Sequence, residues 1–100
     1  MRTCKLMITD QTTPERLDNI FNSIWSLEER VKLRINTTTC GRVSLGRVLS
    51  MKKVLDHHRP SSRKYIEDST IEVRSRFTRK VIQVGLAIIG TERPVYVEVI

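Results

Sequence analysis

Short runs that alternate apolar and charged residues are separated along this chain by stretches with helical spacing. The clearest alternation covers residues 31–35, and residues 71–74 and 95–99 repeat it. A strand buried on both faces is apolar throughout, whereas alternation is typical of a strand with one buried and one exposed face. The pattern therefore predicts a sheet that is covered by helices on one side only.

The first helix has the clearest start and the clearest apolar face. Thr13 is a suitable N-cap, Pro14 fits the first helical position, and Glu15 adds a carboxylate to the first turn. Apolar side chains then follow at helical spacing, which predicts a face that packs on the core. They are Leu17, Ile20, Phe21, Ile24 and Trp25.

Two further helices are predicted after the second and third strands. One begins near Ser44 and is stopped by Pro60, and residues 58–64 then form a polar loop. The other is capped by Ser75 and ends at Gly85, and residues 86–89 form either a last helical turn or an apolar segment of the following loop. In this last helix one face carries Phe77, Val81 and Val84.

These elements predict a single α/β domain over residues 1–100. The order is β-α-β-α-β-α-β, and right-handed crossovers make the four-stranded sheet mainly parallel, with the helices packed on one face. The third strand covers residues 69–74, with Tyr65 and Ile66 as an alternative earlier start. The open face of the sheet is a candidate surface for a homodimer. It would carry Lys5, Lys32, Arg34, Glu72, Arg74, Tyr96 and Glu98.

Composition narrows the class of protein. No apolar run approaches the roughly 20 residues that span a bilayer, so we expect a soluble cytoplasmic protein with no membrane partner.

Two cysteines are too few for a disulfide framework, and we expect two reduced thiols. Cys40 is either an exposed reactive thiol or a small residue that closes a strand.

The net charge of +7 is concentrated in the middle of the chain. Residues 42–64 contain seven basic residues and the single acid Asp56. Such a segment favours an anionic partner, although a solvated basic helix face explains it equally well. If the partner is nucleic acid, the expected phosphate contacts are the seven basic residues of the segment, Arg42, Arg47, Lys52, Lys53, Arg59, Arg63 and Lys64. The contacts expected for a protein or nucleic-acid partner in general are Lys52, Lys53, Arg59, Arg63, Lys64 and Arg76.

The loop that leads into the second helix is a candidate anion site. Its residues Gly41, Arg42, Ser44, Gly46 and Arg47 lie between a strand and a helix, where backbone N–H groups cradle phosphates. The two glycines have the spacing of a P-loop. Arg47 and Val48 replace the lysine and the hydroxyl residue of that motif, which argues against a nucleotide hydrolase. The alternative is that the glycines serve only a tight turn.

No other motif predicts chemistry. His57 and His58 are adjacent, so on a helix they point about 100° apart, and the sequence places no third ligand beside them. Two exposed imidazoles near a helix C-terminus are the simpler interpretation. We therefore expect no metal, no cofactor and no enzymatic activity.

The chain resembles the STAS family, which contains anti-sigma factor antagonists and the C-terminal domains of sulfate transporters. The resemblance covers the strand and polar turn at residues 31–41, the helix start at 44–49, the strand at 69–74, and a short helix that closes on Gly85-Leu86. It implies a one-sided helical layer and a regulatory interaction module.

The signalling members of that family carry a phosphorylatable serine after an aspartate at this helix start. Here Ser44 is the residue nearest to that position, Val43 stands in place of the aspartate, and Asn36 replaces the usual strand-end aspartate. The family's first hairpin strand and C-terminal helix have no counterpart in these residues.

The expected function is therefore a non-enzymatic, STAS-like interaction module. It would bind a protein partner, or a phosphate or nucleotide, near the start of the second helix. The alternative is a basic nucleic-acid-binding protein that contacts phosphates through residues 42–64.

Overall fold

The computed structural model describes residues 1–100, which form four strands and five helices. The strands are β1 (Arg2–Met7), β2 (Val31–Asn36), β3 (Ile66–Val73) and β4 (Val95–Val99). The helices are α1 (Pro14–Trp25), α2 (Leu45–Ser50), α3 (Lys52–His57), α4 (Arg59–Tyr65) and α5 (Arg76–Ile89).

The sheet has the order β1-β2-β3-β4, and every neighbouring pair is parallel. Each strand is followed by a crossover to the strand beside it, and right-handed crossovers in one direction keep all the helices on one side. The predicted α/β fold with a one-sided helical layer is thus confirmed, and the sheet is wholly parallel.

Strand β3 begins three residues earlier than its alternating pattern indicates. Val31 pairs with Ile66 whereas Leu33 pairs with Ser69, so β3 has one extra residue opposite β2. A bulge of this kind shifts which side chains face the core. Regular alternation therefore becomes visible only from Ser69, and the earlier start at Ile66 is correct.

The three predicted N-caps are present. The side chains of Thr13, Ser44 and Ser75 accept hydrogen bonds from backbone N–H groups three residues later, at 3.1, 3.1 and 3.2 Å. Each of these caps satisfies a donor that the first helical turn leaves without a partner. These helices are the first to follow β1, β2 and β3 in the chain, so their N-termini lie on the side of the sheet where the strands end.

The prediction of one second helix followed by a polar loop is wrong. The chain turns at Met51 and again at His58, which divides residues 45–65 into α2, α3 and α4. Pro60 lies in the first turn of α4, where its missing N–H costs no hydrogen bond. Pro60 therefore marks the start of a helix here.

The core lies between α1 and the middle of the sheet. Its buried side chains come from the predicted face of α1 and from the helix-facing positions of β2 and β3. They are Leu17, Phe21, Ile24, Val31, Leu33 and Ile66. The apolar stripe of α1 is therefore a core face, as predicted.

Helix α5 continues through Gly85 and ends at Ile89. Gly90 follows it with a φ of 81°, a conformation that favours glycine, so the C-terminal glycine is Gly90 and not Gly85. Ile82, Gly85 and Ile89 form its buried face. A side chain at position 85 would overlap Val48 of α2, so the glycine allows the two helices to approach closely.

The open face of the sheet is charged, and most of its charges, with the exception of Lys5, are paired within the chain. Arg34 donates to the carboxylates of Glu72 and Glu98, at 3.1 and 3.2 Å. Arg74 does not lie on this face, because its guanidinium donates to the carbonyl of Gly41 at 2.9 Å. Self-association through this face stays a prediction.

None of the helices has both the length and the apolar character needed to cross a membrane.

Candidate functional site

The predicted anion loop lies at the carboxyl edge of the sheet, and the donors of Gly41 and Arg47 have partners within the chain. The backbone N–H of Gly41 donates to the carboxylate of Asp10, at 3.0 Å from Oδ2. The hydroxyl of Ser44 accepts from the backbone of Arg47, and Gly46 lies in the first turn of α2. Asp10 therefore occupies the position that an anionic ligand would take beside Gly41.

Arg47 connects α2 to the loop between β1 and α1. Its guanidinium donates to the carbonyls of Thr9, Thr12 and Asp10, at 2.6, 3.1 and 3.3 Å. These contacts use the fork of donors that distinguishes arginine from lysine. Arg42, by contrast, is exposed and has no ion-pair partner, so it is the available cation of this loop.

Cys40 is buried, and its thiol donates to the carbonyl of Ile8. Burial raises the pKa of this thiol, and the nearby charge of Arg47 only partly opposes that effect. Of the two interpretations of Cys40, the structure supports a small residue that closes the strand region. A thiol of this kind reacts slowly because the thiolate is the nucleophile.

We therefore expect Cys40 to be labelled by iodoacetamide at least about tenfold more slowly in the folded protein than in denaturant. Peptide mapping of the alkylated cysteines measures this rate, and Cys4, which is half-buried, is the internal reference. Equal rates for Cys40 in both states would show that its thiol is accessible.

Much of the positive charge of the basic segment 42–64 is paired within the chain. Arg59 donates to the carbonyl of Ile89 at 2.6 Å and to Asp56 at 2.8 Å, so it ties α4 to the end of α5. Lys52 also pairs with Asp56, and Arg63 pairs with Glu92. The remaining cations of the segment, Arg42, Lys53 and Lys64, are exposed and lie in the loop before α2, in α3 and in α4.

Two of these ion pairs, together with the pair between Arg30 and Glu67, make stability depend on acid pH. A hydrogen bond from Lys52 lowers the pKa of Asp56 below its ordinary value of 3.8. Hydrogen bonds from Arg30 and Arg63 lower the pKa values of Glu67 and Glu92 below the ordinary value of 4.5. Because the folded state holds these protons less tightly, the stabilisation is complete above the ordinary values and is lost as the pH falls through the lowered ones.

We expect the free energy of unfolding to fall between pH 5 and pH 3, as measured by urea titration at each pH. The variant Glu92→Gln should show a shallower fall, because it removes one of the three titrating groups. A pH slope that is unchanged in this variant would mean that Glu92 is equally acidic in the folded and unfolded states.

His58 is buried at the junction of α1, α3 and α4, so the expectation of two exposed imidazoles is wrong for this residue. Its Nδ1 accepts a hydrogen bond from the indole Nε1–H of Trp25 at 2.9 Å, and its Nε2 lies 2.6 Å from Asp18 Oδ1. Phe21 packs against the ring, with centroids 5.2 Å apart. His57 is exposed.

The structure does bring a third potential metal ligand, Asp18, to the histidine pair. The hydrogen bonds nevertheless argue against a metal there. An indole N–H is only a donor, so Nδ1 of His58 must be unprotonated, and Nε2 then carries the proton that faces Asp18. A metal could bind Nε2 only if this nitrogen lost its proton. If the proton moved to Nδ1 instead, Nδ1 could no longer accept the hydrogen bond from Trp25. The arrangement fits a structural role in the core.

An exposed apolar stripe runs along α5; we call it the α5 stripe and define it as Phe77, Val81, Val84 and Ile88. The exposed fractions of Phe77, Val84 and Ile88 are 73%, 41% and 58%, and Val81 is half-buried. The residues recur at i, i+4, i+7 and i+11, which places them on one face of a helix. The face predicted for Phe77, Val81 and Val84 thus exists, and it points away from the core.

Three basic residues accompany the α5 stripe. Arg76, Arg79 and Lys80 are exposed, and none of them forms an ion pair. Helix α5 itself contains no acidic residue. The sequence predicts the face of Phe77, Val81 and Val84 and names Arg76 as a contact, but it does not show that this face is exposed. The available signal is the width of the apolar surface, because residues 81–89 are apolar at every position except Gln83 and Gly85, which is more than one core-facing stripe needs.

The carboxyl end of the sheet brings the anion loop and the start of α5 together. The hydrogen bond from Arg74 to Gly41 holds the loop before α2 against the loop before α5. Arg42 directly follows Gly41, and Arg76 lies two residues after Arg74.

Comparisons of the chain with family models, with curated proteins and with solved structures found no match.

Proposed function

We propose that this protein is a binding module whose α5 stripe docks an acidic amphipathic helix of a partner protein. The observation that carries the proposal is that one face of α5 packs on α2 and the sheet, while a second apolar face is open to solvent. Apolar side chains that are continuous over three helical turns are characteristic of interaction surfaces.

The geometry of the α5 stripe suits a helical partner. A partner helix that presents apolar residues at i, i+3 or i+4 and i+7 would interdigitate with the stripe along its length. Phe77 and Ile88 are the most exposed members, at opposite ends of the stripe, and we expect them to anchor such a helix.

The charges favour an acidic partner. On a helical projection, Arg76 and Lys80 border the solvent side of the stripe, one turn apart, and neither has a carboxylate partner. Acidic residues on the docking helix would supply that partner and would increase the rate of association. A second copy of α5 lacks acidic residues, so charge complementarity favours a different protein over a homodimer through this face.

The proposal keeps the expected protein partner and moves the main contact from α2 to α5. The loop around Arg42 lies beside the start of α5, so the two predicted contact regions belong to one end of the molecule. We also propose that the chain is a divergent STAS-like module, on the residues that carry the resemblance and on the one-sided helical layer. Ser44, the nearest counterpart of the family's phosphorylated serine, is exposed.

The alternatives have less support. Nucleic-acid binding through residues 42–64 would have to rely on Arg42, Lys53 and Lys64, which lie on separate elements. An anionic ligand at the α2 loop would have to displace Asp10 from Gly41. Both stay predictions, and each forms an arm of the experiment below.

The proposal can be tested with two synthetic peptides of about 18 residues, or five helical turns. Both carry leucine at the spacing of the α5 stripe, with glutamate beside the leucines in one peptide and lysine in the other. We expect the acidic peptide to bind more tightly and to shift the NMR signals of residues 76–90. Titrations with phosphate, with single-stranded DNA and with duplex DNA test the alternatives in the same assay.

Two double variants separate the α5 stripe from apolar exposure in general. Phe77→Ser with Ile88→Ser should weaken the acidic peptide by about 30-fold, since each anchor is expected to contribute about 1 kcal/mol or more. The control, Met7→Ser with Tyr96→Ser, removes side chains of similar exposure from elsewhere and should leave binding unchanged. Equal effects of the two double variants, or equal binding of the two peptides, would refute the proposal.

A further inference from the structure

A partly open pocket of about 140 Å³, called the first cavity below, lies between the sheet and helices α1, α2, α3 and α5. Twelve of its 14 lining residues are hydrophobic. They include Ile8 after β1, Ile35 and Ile71 on the central strands, and Val48, Met51 and Leu86 on the covering helices. The cavity is therefore part of the interface between the two layers of the fold and is separate from the α5 stripe.

The few polar groups in its wall already have hydrogen-bond partners. The thiol of Cys40 donates to Ile8, the hydroxyl of Thr37 donates to the carbonyl of Glu72 at 2.7 Å, and Arg47 donates to the loop after β1. No buried side-chain nitrogen or oxygen lacks a partner. A water molecule needs two to four polar partners to be held in a cavity, so this wall does not favour hydration.

We infer that the cavity binds a small, uncharged, apolar molecule of about the size of one aromatic ring. An enclosed apolar cavity of about 150 Å³ takes up benzene or xenon. The first cavity has a similar volume and a similar apolar lining, and it is in addition partly open to solvent, so a ligand can enter it without unfolding of the core. A charged ligand would lose its hydration without gaining a partner. Two effects favour binding. Apolar surface of the ligand is removed from water, and the ligand forms van der Waals contacts with side chains that face empty space in its absence.

A second cavity, of about 110 Å³, adjoins the first and extends towards the opposite edge of the sheet. Both are lined by Phe21, Ile35, Leu55, Ile71 and Leu86, so these side chains separate the two spaces. The second cavity also contacts Arg59, Ser62 and Glu92, which makes its outer end polar. Shortening Leu55 should therefore join the two spaces and admit a longer apolar ligand.

Toluene is the probe for the first cavity, and benzoate is its charged counterpart of similar size. Toluene at about five times its dissociation constant should raise Tm by about 4–8 °C. It should also shift the methyl NMR signals of Ile8, Val48 and Leu86 more than those of the α5 stripe. Benzoate at the same concentration should produce neither change.

Two variants make the site assignment falsifiable. Val43→Phe, which fills the cavity from a half-buried loop position, should reduce toluene affinity at least tenfold. Leu55→Ala should gain affinity for naphthalene, because the joined space accommodates two rings. The inference is overturned if toluene leaves Tm and the lining methyl signals unchanged, or if Val43→Phe binds toluene as the wild type does. Should Leu55→Ala fail to fold, the comparison of Val43→Phe with the wild type still decides the question.

Discussion

Replacing His58 with alanine should lower the free energy of unfolding by about 3 kcal/mol. The substitution removes a buried ring that packs against Phe21 and leaves the indole N–H of Trp25 without its acceptor. An unpaired polar group and a new cavity are each costly in a core, and this variant creates both. Urea unfolding followed by the fluorescence of Trp25, the single tryptophan, measures the change.

The neighbouring histidine provides the matched control. His57 is exposed, so His57→Ala should change the free energy of unfolding by no more than about 0.5 kcal/mol. If the two variants lost the same stability, the hydrogen-bonded arrangement of Trp25, His58 and Asp18 would not hold the helices together as described.

Replacing Arg47 with alanine should cost about 2–3 kcal/mol, because hydrogen bonds from a charged donor to three carbonyls of the β1–α1 loop are lost together. Arg47→Lys should recover only part of that stability, since an ammonium group cannot reproduce the planar fork. Hydrogen exchange of the amides at residues 9–13 should accelerate in both variants.

Arg42→Ala is the control for this second prediction. Arg42 lies in the same loop region but is exposed and makes no ion pair, so its loss should leave stability within about 0.5 kcal/mol of the wild type. An equal loss in Arg42→Ala and Arg47→Ala would show that the charge of the segment, rather than the contacts of Arg47, stabilises the fold.

The periodic parts of the fold could be predicted from the sequence. Alternation in β2 and β4, the stripe of α1 and the caps Thr13, Ser44 and Ser75 are local signals, and each is present in the structure. The helix at Arg59–Tyr65 could not be predicted in the same way. Its residues are polar, and Pro60 indicates a helix start or a helix end with equal force until the position of the preceding helix is known.

The candidate site was harder to predict because charge is visible in a sequence and ion pairing is not. Arg47 and Arg59 contribute charge to the basic segment, yet both donate hydrogen bonds to residues that are distant in the chain. Arg47 contacts Thr9, 38 positions away, and Arg59 contacts Ile89, 30 positions away. The exposure of the α5 stripe could not be predicted for a related reason. The apolar residues of α5 cover a wider arc than one core-facing stripe, and periodicity does not say which part of that arc meets the sheet.

The docking role of the α5 stripe is tested most directly by photo-crosslinking from inside the surface. A benzophenone side chain is placed at Ile88 in one sample and at Met7, of similar exposure, in the other, and each protein is expressed in cells that naturally produce it. Mass spectrometry then identifies the crosslinked segments. We predict that position 88 captures a segment with helical apolar spacing and an excess of Asp and Glu, and that position 7 does not. Capture of a basic or non-helical segment at position 88, or of the same protein from both positions, would contradict the account.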